Sequence, residues 1–209
     1  MNQKKYFDKH ADTWDETCFH DKSKIETIME ILKLPDGASV VDAGTGTGIL
    51  LPYIHSKIGP NGSITAVDIS RKMIDRAEEK FNFENVDYLV ADVLKLKHAR
   101  GKYDYIICYS MFPHFKNQKK AVSKLAALLK EGGKLAIFHS QSRNEINGLH
   151  AKINGAVSRA RLPEMPVIRK YLSEAGLSLD LEVDDENMFL AVGTKTSSGD
   201  QNIFNVGGK

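Results

Sequence analysis

Residues 39–50 read SVVDAGTGTGIL, an apolar run that breaks into three alternating glycines and then resumes. No other segment constrains the fold as much. Glycines at 44, 46 and 48 let the backbone turn sharply and let a ligand approach it with no Cβ in the way. A glycine loop between a buried strand and a helix is the context in which such a loop holds a nucleotide-like ligand. The same residues can also make a tight strand-to-helix turn with no ligand, and the loop alone leaves both readings open.

The rest of the chain repeats the strand-then-helix order. SITAVD (63–68), VDYLVA (86–91), YDYIICYS (103–110) and KLAIFHS (134–140) read as buried strands. Helices are expected over about 47–58, 71–81 and 118–130, the second capped by Ser70 and the third ended by EGG at 131–133. Before the first strand, SKIETIMEILKL places Ile25, Ile28, Met29 and Leu32 on one helical face, with Ser23 and Glu26 as a capping box and PDG (35–37) as the stop. Helices over about 144–160 and 166–175, the latter closed by Gly176, lead into LSLDLEV and MFLAVGT, two strands close enough to pair as a hairpin. This order predicts a doubly wound, mostly parallel α/β sheet in one domain over residues 1–195. The stretch 196–209 is expected to be a mobile tail.

Composition narrows the function. The formal charge is +2, from 29 basic and 27 acidic residues, which argues against nucleic acid as the main partner. Two cysteines, Cys18 and Cys108, imply no disulfide framework and favour a reducing compartment. The start has no apolar run behind its charges, and nothing approaches the roughly 18 apolar residues that span a bilayer. The chain therefore reads as cytoplasmic; a homodimer stays open.

Two acidic residues join the glycine loop. Asp68 ends the second strand, where a carboxylate can accept both hydroxyls of a ribose, and Asp92 follows the third strand at the same sheet edge. Each could instead cap the turn after it. Asp42 lies two residues before Gly44; an acid there suits an ammonium or sulfonium better than a pyrophosphate.

VVDAGTGTG resembles the first signature of class I S-adenosylmethionine-dependent methyltransferases. AVDIS, VADVLKL and EGGKLAIF resemble the next stretches of that family, over residues 23–195. The opening YFDKHADTWDE is similar to the start of quinone-type C-methyltransferases and their small-molecule relatives (the methyltransferase type 11 branch), where it forms a lid; residues 1–22 would play that part here. The resemblance implies a seven-stranded Rossmann-like sheet of order 3-2-1-4-5-7-6, with strand seven antiparallel. It implies that Asp42, Gly44, Thr45, Gly46 and Gly48 hold the methionine portion of S-adenosylmethionine. Asp68 and Ile69 would take the ribose and one adenine face, with Met73 near the base. Asp92 and Val93 would meet the adenine edge, Tyr109 would lie near the sulfonium, and Tyr6, Phe7 and Trp14 would come from the lid.

On the acceptor side, CYSMFPHF lacks both the (N/D/S)PP(Y/F) motif of amino-group methylases and the Pro-Cys pair of cytosine methylases. FHSQSRNEINGLH (138–150) is rich in polar groups where an acceptor should bind. His139 or His114 can serve as a general base. His114, His139 and His150 can instead ligate a divalent metal, or be hydrogen-bonded pocket residues with no metal. Asn147 shares a helix face with His150, and Arg143 can clamp an anionic acceptor. The expected reaction is in-line methyl transfer to a small molecule. A nicotinamide-dependent oxidoreductase and a non-catalytic S-adenosylmethionine-binding regulator are the alternatives.

Overall fold

A computed structural model describes residues 3–96, 100–153 and 157–196. Its centre is one seven-stranded sheet. The strands are β1 (Ser39–Ala43), β2 (Ser63–Asp68), β3 (Val86–Val90), β4 (Tyr103–Tyr109), β5 (Leu129–His139), β6 (Leu177–Asp184) and β7 (Phe189–Lys195). Their order is β3-β2-β1-β4-β5-β7-β6, as expected. Neighbours are parallel except at β7, which runs antiparallel to both β5 and β6. Ala43 lies opposite Val67, and Asp68 opposite Val90. That register brings the carboxyl ends of β1, β2 and β3 to one edge, so Asp42, Asp68 and Asp92 emerge together.

The helices are α1 (Gln3–His10), α2 (Trp14–Thr17), α3 (Lys22–Leu32), α4 (Leu51–Ile58), α5 (Arg71–Lys80), α6 (Gln118–Leu128), α7 (Arg143–Lys152) and α8 (Met165–Glu174). Apolar residues cover both sheet faces in two clusters. One joins β4 and β5 to α6 and α8 around Phe112, Leu125 and Ile168; the other joins α3 and α4 to the sheet around Ile25, Ile54 and Phe138. A sheet buried on both faces explains why its central strands read as continuous apolar runs.

Several boundaries differ from expectation for local reasons. Helix α3 starts earlier because Asp21, not Ser23, accepts from the Lys24 amide; Ser23 donates its hydroxyl to Asp21 instead. It stops at Lys33, in a left-handed conformation, before the PDG turn. Strand β5 begins at Leu129, so EGG falls inside a strand whose register to β4 shifts between Tyr103 and Tyr105. Helix α7 ends at Lys152, not near 160. The expected mobile tail lies outside the described residues beyond Thr196. Among the described residues, no helix is long and apolar enough to cross a membrane.

Candidate functional site

The loop after β1 hangs from β2: the amides of Gly44 and Thr45 both donate to the Val67 carbonyl, at 2.7 and 3.0 Å. Gly44, Gly46 and Gly48 all have positive φ. At Gly44 the requirement is also steric, since a Cβ would stand 2.8 Å from Met111 Cβ. Next to Met111, Ser110 is held at φ 52, a left-handed conformation that costs energy for any residue but glycine. Tight packing thus joins the loop to the end of β4.

A cavity of about 470 Å³ opens along this edge, walled by the glycine loop, Asp42, Asp68, Ile69, Met73, Asp92, Val93 and Tyr109. Asp42 is 2% exposed and accepts a 2.6 Å hydrogen bond from Thr45. Burial pushes its carboxyl up to about 7, and neighbouring Asp68 pushes the same way. Burial also raises Asp68, to about 6, although it accepts from the amides of Gly46 (3.1 Å) and Ser70 (2.8 Å). One buried and one half-buried acid, both with raised pKa values, make a wall that gains from a cation. Asp92 caps the turn at Val93 by accepting from the Leu94 amide at 3.0 Å, and it also lines the cavity.

The N-terminal segment folds over the opening. Asp12 pairs with Arg76 at 2.8 Å, and Asp15 pairs with Lys80 at 2.7 Å and with Thr47. Asp8 accepts from Ser70 at 2.6 Å. Phe7 and Trp14 line the cavity, their rings 5.6 Å apart. Tyr6 is not in the wall; it packs against Phe7 and His10.

On the acceptor side, Tyr109 hydrogen-bonds Ser140 at 3.0 Å and His20 at 2.8 Å. His20 and Cys18 line the cavity, as do Lys116, Lys120 and Lys124 near its mouth. Sequence reasoning did not single out these five. The lysines lie just before and within α6, the first α-helix after β4, a placement that could have marked them, but the contact of His20 with Tyr109 of β4 has no local signal.

Of the expected acceptor residues, only His114 reaches the cavity wall. Arg143 shares its one Nε–H between both carboxylate oxygens of Asp184, at 2.9 and 3.2 Å, and it is not part of the cavity wall. Asn147 grips the Leu162 backbone, donating to its carbonyl at 3.0 Å and accepting from its amide at 2.8 Å. His139 is 1% exposed behind the wall. Burial, reinforced by mutual repulsion among the histidines, lowers both His114 and His139 to about 3. The rings of His114 and His150 stand 5.1 Å apart. As placed, these three histidines do not make the expected ready metal centre: among the described residues no group of three or more His, Cys, Asp or Glu is arranged to hold an ion.

A family model described as a methyltransferase domain matches residues 40–133. A malonyl-[acyl-carrier protein] O-methyltransferase of Acetivibrio thermocellus is 29% identical over 161 residues, 76% of this chain and 56% of that protein. An (S)-coclaurine N-methyltransferase of Thalictrum flavum subsp. glaucum is 31% identical over 137 residues, 64% of this chain and 37% of that protein. The chain thus spans about half the length, or less, of these curated relatives. Among solved structures, magnesium protoporphyrin IX methyltransferase from Synechocystis PCC 6803, with bound SAH, superposes with a TM-score of 0.68 at 20% identity, covering 92% of this chain and 98% of that one.

Proposed function

We propose that the chain is a class I methyltransferase and that it transfers the methyl group of S-adenosylmethionine to a small nucleophilic acceptor. The observation that carries this reading is the single cavity bordered by Asp42, the glycine loop, Asp68 and Asp92. Asp42 would face the cationic methionine end and Asp68 the ribose hydroxyls. Trp14 and Phe7 would cover the cofactor. The carrier-linked acid and the alkaloid named for the two relatives, and the porphyrin of the solved structure, are acceptors of those proteins. They set the starting panel for this one.

The transfer would be an in-line displacement: the acceptor lone pair forms the new bond to the methyl carbon as the carbon–sulfur bond breaks, leaving a neutral thioether. The protein contributes alignment and water exclusion. Proton removal from the acceptor would fall to His20, which lines the cavity beside Tyr109; burial lowers its pKa too, in part offset by Asp15. Lys116 and Lys120 at the mouth would favour an acceptor with an anionic group, a role expected of Arg143.

Calorimetry with S-adenosylmethionine, its demethylated product and a nicotinamide dinucleotide tests the reading. Tight binding of the first two is expected, and Asp68→Asn should weaken it by about 1–3 kcal/mol, the value of a hydrogen bond to a charged group. Preference for the nicotinamide ligand would sink the proposal. Binding without turnover on carboxylic acids, phenols, thiols and amines would favour the non-catalytic alternative.

A further inference from the structure

The cavity is electrically two-sided. Its inner wall carries Asp42 and Asp68, and its rim carries Lys116, Lys120 and Lys124, before and within α6, with Lys95 in the turn after β3. From Tyr105 to Lys130 the sequence holds five lysines and no acidic residue. The two of them that do not line the cavity are neutralised: Lys119 pairs with Glu174 at 3.0 Å and Lys130 with Asp104 at 2.8 Å. The three that line it have no carboxylate partner among the described residues, and Lys124 donates instead to the Leu94 carbonyl at 3.1 Å. Lys120 and Lys124 stand four apart on one helix, where like charges repel, and Lys120 lies in the first turn, where the helix dipole opposes a cation. An anion over this rim relieves both costs.

The rim is also set apart from the place of methyl transfer. Lys124 and Lys95 reach the turn that follows β3, through Leu94 and, at 3.8 Å, through Asp92. Tyr109, expected near the sulfonium, ends β4, and β2 and β1 lie between β3 and β4 in the sheet. At about 4.8 Å per strand, those two strand ends are roughly 14 Å apart. We propose that the acceptor carries an anionic handle, a carboxylate or phosphate separate from the atom that is methylated, gripped by Lys116 and Lys120 in the field of Lys95 and Lys124. This deepens the methyltransferase reading and rests on it. Lysine ammoniums act as point charges, so either oxyanion serves. Held at the rim, the acceptor keeps its nucleophile on the side of Tyr109 and His20, while the cofactor cation faces Asp42.

Trp14 is the one tryptophan of the chain and lines the cavity, so its fluorescence reports binding. Full-length protein saturated with S-adenosylhomocysteine is titrated with isophthalate and with its neutral diamide. Exposed ion pairs are individually weak, so two lysines acting together are expected to favour the dianion by about tenfold or more, less at high salt. The preference should fall below threefold in the Lys116→Gln, Lys120→Gln double variant and persist in Lys170→Gln, the same charge change on α8. No preference in wild type, no binding of isophthalate, or threefold or more preference kept in the double variant overturns the handle. Calorimetry of S-adenosylhomocysteine alone comes first and judges the methyltransferase reading. Should that ligand fail to bind, the same titrations on the free protein still judge the lysine rim.

Discussion

Replacing Asp42 with Asn is expected to stabilise the ligand-free protein above neutral pH while weakening its hold on S-adenosylmethionine. The folded-state pKa of Asp42 is raised from 3.8 to about 7, chiefly by burial. Between those values the native chain keeps a proton that the unfolded chain has released, so stability falls as pH rises through that window. At 1.36 kcal/mol per unit, a shift of roughly three units costs about 4 kcal/mol once pH exceeds 7, and about 1.5 kcal/mol at pH 5. Asparagine cannot ionise, yet it keeps an oxygen to accept the 2.6 Å bond from Thr45. The stability of the variant relative to wild type should therefore grow by about 2–3 kcal/mol between pH 5 and pH 8. For a chain of this size that is a relative rise in Tm of roughly 5–10 °C. Thermal unfolding of both proteins without ligand, at each pH, measures it directly. A difference that does not change with pH would refute the reasoning, because it would mean that the carboxylate already ionises freely in the fold. Unchanged affinity for S-adenosylmethionine would refute the other half, the pairing of Asp42 with the cofactor cation.

Gly44→Ala puts a Cβ 2.8 Å from Met111 at a backbone φ of +74; a loss of about 1–3 kcal/mol is expected from denaturant titration, and no loss would show that Met111 yields freely. Asn147→Ala removes both bonds to the Leu162 backbone and should cost about 1–3 kcal/mol while leaving cofactor affinity alone. The opposite pattern would return Asn147 to the ligand pocket. Asp15→Ala frees Lys80 and Thr47 in half-exposed contacts. It should change stability by less than about 1 kcal/mol yet speed dissociation of S-adenosylmethionine in stopped-flow, and an unchanged rate would argue that residues 3–17 do not act as a cover.

The sheet was legible because its information is local. A buried strand shows as an apolar run, a crossover helix as a 3.6-residue period, and the turn between them as glycine. Boundaries were less so where two signals compete at one end. Ser23 and Asp21 can both cap α3, and the aspartate wins while the serine side chain bonds to it. EGG has the composition of a helix stop, but pairing with β4 draws Leu129–Gly133 into the sheet edge. The four-residue helix α2 and the segment before it are tied by ion pairs to α5, about 64 residues away, which no local pattern announces.

The cofactor side and the acceptor side differ for the same reason. Asp42 and Asp68 lie in the last residues of β1 and β2 and Asp92 just past β3, and parallel register alone brings these strand ends together. The polar segment 138–150 folds under no such rule, and each side chain's role depends on what it meets. Arg143 meets Asp184, 41 residues on, and Asn147 meets Leu162, so both bond to the protein itself. His114, His139 and His150 share that segment or its neighbour and have nitrogens with no protein partner. A residue list cannot separate these two outcomes, because arginine, asparagine and histidine are equally apt for a ligand pocket. Hydrogen-bond accounting in the fold separates them in part: Asn147, with its side-chain carbonyl and amide both bound to the Leu162 backbone, is a structural residue, whereas the unpaired nitrogens of the buried histidines are open to water as much as to a ligand.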